Sequence, residues 1–218
     1  MEIGVFGGTF NPLHNGNLIV ARQARLQLPL DKIIFVPNGK PPHKQTGLLT
    51  GEQRFELTCA GIEGEECMEV SRLEIDRPGI TWSIDTLREL KKIYGDGHRL
   101  NFIIGEDNVA AFEQYDKRAE FFKVCRLLVA PRLTPQQSDF EDWCRRLPEA
   151  EIVMINCIAS DTSSTQIKKL IEARQDISHL VPAGILRLIR KYGYFKPERI
   201  TIHPAAMPCV ARTIHPAA

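Results

Sequence analysis

No run of uncharged apolar residues in this 218-residue chain approaches the ~18 that a membrane span needs, which sets membrane-spanning functions aside. An excess of either charge is missing as well: 28 Lys and Arg stand against 27 Asp and Glu, a formal net charge of +1. No broad field therefore draws the chain to nucleic acid or to a membrane surface. Any phosphate site has to be local, built by a few side chains and by backbone. The opening Met1-Glu2-Ile3-Gly4 is acidic and runs directly into a strand pattern, so no signal peptide is expected and the cytoplasm is the expected compartment. Metal-ligand spacing is absent too. The six cysteines (Cys59, Cys67, Cys125, Cys144, Cys157 and Cys209) form no C-x-x-C pair, and none sits beside a histidine at zinc-ligand spacing. A chain of this length with 43% hydrophobic residues can bury a core without covalent staples, so the thiols are expected to be reduced.

What is present is an alternation of short apolar runs and helical periodicities. Residues 3–6 read as a strand ending in Gly7-Gly8, and the spacing of Leu18, Ile19, Ala21 and Leu26 predicts a helix from Gly16 that Pro29 stops. Strands follow over 32–36, 68–75, 100–104, 125–130 and 152–157. Helices are predicted over 51–61, 81–94, 109–122, 140–147, 163–174 and from Pro182 to Tyr192. Such alternation implies an open α/β fold, a doubly wound, mainly parallel sheet with helices on both faces. Ligands then sit beyond the carboxyl ends of the strands, which points to the loops after Phe6, Val36, Ile104 and Cys157. The pattern stops near residue 198. Residues 201–206 and 213–218 repeat one hexapeptide, TIHPAA; two copies make no solenoid. The expected organisation is one domain over 1–198 and a tail over 199–218 outside the fold, with an oligomer contact as the tail's other reading.

The first loop, Gly7-Gly8-Thr9-Phe10-Asn11-Pro12-Leu13-His14-Asn15-Gly16-Asn17, carries the strongest chemical signal. Its glycines let backbone N–H groups approach a ligand, and the following helix start offers unpaired donors and a positive dipole end. His14 and Asn17, three apart, face one spot above that helix. This is a phosphate cradle without a Walker lysine and without the dinucleotide G-x-G-x-x-G pattern. Taken alone, the same string also fits an ordinary glycine turn with a surface histidine.

The whole string resembles the G-G-T-F-x-P-x-H-x-G-H signature of the nucleotidyltransferase superfamily, and most closely that of bacterial nicotinate-mononucleotide adenylyltransferases. Four further segments resemble that family in order: PNGKPPHK from Pro37, ITWSIDTL from Ile80, IIGED from Ile103 and DTSSTQIK from Asp161. The likeness runs from Met1 to about Phe195. It implies a Rossmann-like nucleotidyltransferase fold and transfer of the adenylyl group of ATP to nicotinate mononucleotide, with Mg²⁺ accompanying ATP and no metal ligands supplied by the protein. By the same resemblance Gly8, Thr9 and Phe10 line the nucleotide loop, and His14 and Asn17 are the catalytic pair on the ATP phosphates. Ser163, Ser164 and Lys168 bind those phosphates from their helix, and Gly105 and Asp107 hold the ribose and adenine side. The mononucleotide falls to Thr9, Lys40, Lys44, Trp82, Ser83 and Tyr115.

Several of these residues have a plainer reading as well. Ser163 and Ser164 are good helix caps with or without ATP, and Lys40 and Lys44 could be simply solvated. The chain also departs from the family pattern. Asn17 stands for the second signature histidine, Lys168 for an arginine, Trp82 for a tyrosine, and Tyr115 for the usual tryptophan near the nicotinate ring. An amide can donate but never carry charge, and lysine lacks the bidentate fork. Two alternatives stay open at this point: a sister transferase with nicotinamide mononucleotide or phosphopantetheine as acceptor, and a catalytically impaired nucleotide-binding homologue. The substrates expected are ATP and nicotinate mononucleotide, with no nucleic acid or membrane partner and a homo-oligomer left open.

Overall fold

The computed structural model describes residues 1–40, 47–131, 140–157, 162–196 and 213–214. Six parallel strands carry the architecture: β1 (Glu2–Gly8), β2 (Lys32–Pro37), β3 (Met68–Ser71), β4 (Arg99–Gly105), β5 (Cys125–Ala130) and β6 (Ile152–Met154). Between them lie α1 (Asn15–Gln27), α2 (Gly51–Gly61), α3 (Leu73–Asp76), α4 (Ser83–Tyr94), α5 (Arg118–Val124) and α6 (Phe140–Arg146); α7 (Ser164–Glu172) and α8 (Ala183–Tyr192) follow. The sheet order is β6-β5-β4-β1-β2-β3, extended by a two-residue strand, β7 (Thr213–Ile214), beside β3. The chain leaves β1 toward β2 on one side and returns later to β4 on the other. The crevice above β1 and β4 is therefore the switch point where such sheets bind ligands.

Alternation along each buried strand feeds two cores. Ile33 and Phe35 of β2 join Leu18 and Ala21 of α1, Leu57 of α2 and Ile185 of α8 on one face. Ile34 and Val36 join Ile84, Leu87 and Leu90 of α4 and Phe121 of α5 on the other. That is the double winding the alternation implied.

Four expectations are corrected. The strand expected over 68–75 ends at Ser71, whose hydroxyl accepts from the Leu73 amide at 3.2 Å and starts the short α3. The helix expected over 109–122 is broken into 3₁₀ turns at Glu106–Asn108 and Ala110–Phe112 before α5 begins at Arg118, and the Arg118 guanidinium donates to the Glu113 carbonyl across the break. The tail was expected outside the fold, yet Thr213 and Ile214 pair in parallel with Val70 and Ser71; the rest of 197–218 lies outside the described residues. Cys59 is disulfide-bonded, while Cys67, Cys125, Cys144 and Cys157 are free. Spacing along a sequence cannot reveal a pair brought together only by the fold.

Close approach of α2 and α8 depends on Gly184. A Cβ there would lie 2.1 Å from the Ala60 carbonyl oxygen. Alanine for glycine in a helix ordinarily adds stability, by about 0.5–1 kcal/mol. Here the obstacle is backbone, which cannot swing aside, so overpacking wins. Gly184→Ala is expected to lose about 1–3 kcal/mol net, read as a Tm lower by several degrees in a thermal melt; an unchanged or higher Tm would contradict the packing described.

Candidate active site

A cavity of about 640 Å³ opens where the sheet predicts it. Its floor is the end of β1 and the loop to α1: Gly7, Gly8, Thr9 and Phe10, then His14, Gly16 and Asn17. Gly105, Asp107 and Asn108 after β4 form one wall, Thr162, Ser163 and Ser164 at the head of α7 another, and Ser83 and Asn38 close the side toward α4 and β2.

The loop is held open by an unusual backbone. Phe10 has φ of 45°, a conformation few side chains adopt, and its ring is buried edge-on to Phe6 and against Phe35, both at 5.7 Å. Phe10 thus anchors the turn from below and leaves backbone facing the cavity. Gly8 is required by this ring, since a Cβ there would lie 2.8 Å from it. On the opposite wall, a Cβ on Gly105 would lie 2.6 Å from Asp107 Oδ1, so that carboxylate folds back over the end of β4.

His14 is the residue before the first turn of α1, and its backbone N–H donates to Asn17 Oδ1 at 3.1 Å. Asn17 therefore caps the helix with its carbonyl oxygen and keeps its –NH₂ group for the cavity. The start of α1 is fixed from outside by the Asn15 amide, which donates to the Leu180 carbonyl at 2.9 Å. Ser163 caps α7, its hydroxyl accepting from the Gln166 amide at 3.1 Å, and the Ser164 hydroxyl donates to the Pro12 carbonyl at 2.8 Å. The Ser164 bond ties the head of α7 to the loop that leads into α1.

Two helix N-termini therefore converge on one cavity, and neither α1 nor α7 carries an acidic residue in its first turn. Their positive dipole ends are therefore not offset by a carboxylate in the first turn of either helix. Among the described residues no Lys or Arg lines the cavity; its side-chain donors near these helix ends are His14, Asn17 and hydroxyls. Such a site suits an extended anion with several oxygens.

The cavity brings together Gly8, Thr9, Phe10, His14, Asn17, Ser83, Gly105, Asp107, Ser163 and Ser164, ten of the residues singled out from sequence. Lys40 is exposed at the end of the β2 loop, and Lys168 lies a turn into α7, away from the lining. Trp82, 49% exposed, precedes α4 rather than facing the cavity. Tyr115 packs edge-on against Phe112 at 6.2 Å, and it is Phe112 that reaches the cavity; burial pushes the Tyr115 phenol above its ordinary pKa. Lys44 lies outside the described residues. Sequence reasoning missed Asn38, Asn108, Phe112 and Thr162. Asn38 and Thr162 lie inside quoted motifs and Asn108 adjoins one, so all three could have been found there, whereas Phe112 was hidden by the helix expected across it.

The chain matches the Cytidylyltransferase-like family over residues 5–170, which sets its class as a nucleotidyltransferase. Proteins described as probable nicotinate-nucleotide adenylyltransferases are similar along nearly the whole length. One from Thermoanaerobacter sp. (strain X514) is 35% identical over 202 residues, covering 91% of this chain and 96% of the relative. One from Caldicellulosiruptor bescii is 36% identical, covering 90% and 100%. The solved structure of Plasmodium falciparum nicotinic acid mononucleotide adenylyltransferase complexed with NaAD shares the fold, with a TM-score of 0.74 at 16% identity over 89% of this chain and 97% of that one. The chain belongs to the nicotinate-nucleotide adenylyltransferase family.

Proposed function

We propose that the 5′-phosphate of nicotinate mononucleotide attacks the α-phosphorus of ATP in this cavity, giving nicotinate adenine dinucleotide and pyrophosphate. The observation that carries the residue assignment is the convergence of two uncompensated helix N-termini with His14 and Asn17 over the end of β1. In the step, the mononucleotide oxygen forms a bond to the α-phosphorus while the bond from that phosphorus to the bridging oxygen breaks. The nucleophile is already an anion, so no protein base is needed. The protein's part is to place the two phosphates in line and to offset charge on the departing pyrophosphate.

His14 and the Asn17 –NH₂ group serve the departing phosphates, joined by amides of α1 and α7. Gly105 and Asp107 serve the ribose and adenine, and Ser83 serves the mononucleotide. Lys40, Lys44 and Lys168 remain candidates for phosphate contact from outside the lining described, and Trp82 and Tyr115 for the nicotinate ring. Mg²⁺ enters as part of the substrate in this reading, held chiefly by the ATP phosphates, as this ion is often bound. We assign the nucleotidyltransferase domain to residues 1–198, with Thr213 and Ile214 of the tail adding a short strand at the β3 edge of its sheet.

Acceptor selection follows from α4. Asp85 stands in the first turn of α4, where its charge is partly offset by Arg88 at 3.5 Å, and Ser83 at the same end lines the cavity. A nicotinate carboxylate accepts from the amides of such a helix start with charge assistance, whereas a nicotinamide must match them with a neutral oxygen. The expected result is a kcat/KM about tenfold or more higher with nicotinate mononucleotide than with nicotinamide mononucleotide, measured as pyrophosphate release from ATP and Mg²⁺. Equal values would remove α4 from acceptor recognition.

A further inference from the structure

Arg54 lies in the first turns of α2 with 1% of its surface exposed, and nothing in its sequence setting distinguishes it from a solvated helix charge. Its guanidinium reaches three separate chain segments. Nη1 donates to the Thr9 carbonyl at 2.9 Å, Nη2 to the carbonyls of Asn38 and Gly39, the latter at 2.9 Å, and Nε to the Leu49 carbonyl at 3.2 Å. Thr9 belongs to the cradle after β1. Asn38 and Gly39 belong to the loop after β2 that borders the acceptor side. Resting on the functional reading above, we infer that Arg54 is a positioning residue that sets the nucleotide cradle and the acceptor-side loop in register, so that the attacking phosphate and the α-phosphorus meet in line.

The surroundings support a device built for registry rather than an incidental buried charge. The Asn38 amide donates directly to the Gly8 carbonyl at 2.9 Å, so the two loops already touch where Arg54 binds both. Glu74, itself 3% exposed, braces the second loop from behind: it accepts from the Thr81 and Thr86 hydroxyls at 2.7 and 2.9 Å and from the Asn38 amide group at 3.4 Å. Gly39 sits so tightly over Glu74 that a Cβ would lie 1.9 Å from the Glu74 carbonyl oxygen. The buried Asn11 side chain completes the frame, donating to the Gly47 carbonyl at 3.1 Å and accepting from the Leu49 amide at 3.2 Å. A planar fork with five donors can hold carbonyls in several directions at once, which an ammonium on a flexible stem cannot. Misplacing a reacting atom by about 1 Å can cost ~10² in rate.

The test compares Arg54→Met and Arg54→Lys with the wild type in three readouts: Tm, titration of each substrate alone, and turnover per binding-competent site. If Arg54 sets the register, kcat per competent site falls about 10²-fold in both variants, while KM for ATP and for the acceptor stays within roughly threefold. Adding free guanidinium to Arg54→Ala should recover part of the lost kcat. Hydrogen exchange at the Asn38 amide should quicken roughly tenfold or more in each variant, because the carbonyls it lies among have lost their common donor. Unchanged kcat per competent site, with the damage confined to Tm and to the folded fraction, would overturn the inference. So would unchanged exchange at Asn38. Should Arg54→Met not fold, Arg54→Lys carries the same comparison. If the wild type itself transfers no adenylyl group, the functional reading fails, and the Asn38 amide still decides whether Arg54 fastens the loops.

Discussion

Replacing His14 by alanine is expected to lower kcat by at least about 10²–10³, the usual loss when one preorganised donor to developing charge is removed. The structure concentrates the effect on this side chain. No Lys or Arg lines the described cavity, and the second histidine of the signature is replaced by Asn17, a neutral donor. Among the described residues His14 supplies the one imidazole that lines the cavity. On substitution the start of α1 keeps the bond from the His14 amide to Asn17 Oδ1 and loses the one its imidazole accepts from the Asn17 backbone amide. Stability should therefore fall by only about 1 kcal/mol, the usual worth of a helix cap, while turnover collapses. Near-wild-type kcat in a folded His14→Ala protein would displace the cradle from the chemistry.

The second large effect is expected from Asn17→Asp, a change of one group of the same size. Aspartate keeps an oxygen to accept from the His14 amide at the 3.1 Å seen for Asn17, so the cap survives. A carboxylate in the first turn of a helix is favoured by the dipole, so stability should hold or rise slightly. Function should move the other way. The variant exchanges the –NH₂ donor for a negative charge beside the triphosphate, and like charges ~4 Å apart repel by about 4 kcal/mol at an effective dielectric near 20. We expect kcat/KM for ATP to fall by about 10² or more, with Tm unchanged or raised. Comparable losses in Tm and activity would mean that Asn17 matters for folding only. Retained kcat/KM for ATP would mean that no phosphate comes near it.

These two residues also show how far the sequence could be read. The crossing from Gly8 to α1 was legible because glycine pairs, a helix start and a histidine leave a pattern that few other structures produce. The double winding was legible because β1, β2 and β5 each run apolar after a charged residue at or near the start (Glu2, Lys32 and Arg126), and the helices between the strands carry apolar residues at helical spacing. Partner choice was not legible. Asn17 read as a ligand donor, and its carbonyl proved to cap α1, because a local hydrogen bond costs nothing in pattern. Ser164 read as a phosphate ligand, and its hydroxyl holds the Pro12 carbonyl across 152 positions of sequence. The 109–122 segment has Val109, Phe112, Phe121 and Phe122 near helical spacing, yet Phe112 serves an aromatic cluster and the cavity wall, and the chain turns twice to place it. Arg54 was invisible for a deeper reason: nothing along a sequence marks which charged residue on a helix will be buried among carbonyls that arrive from other elements.

The account stands on one reaction, and one measurement tests it most directly. Purified protein is incubated with ATP, Mg²⁺ and nicotinate mononucleotide, and the dinucleotide and pyrophosphate are quantified together by mass. The account predicts nicotinate adenine dinucleotide and pyrophosphate in equal amounts, at a rate abolished or reduced about 10²–10³-fold by His14→Ala. ATP binding without dinucleotide formation, or dinucleotide formed equally well by the His14→Ala protein, would contradict it.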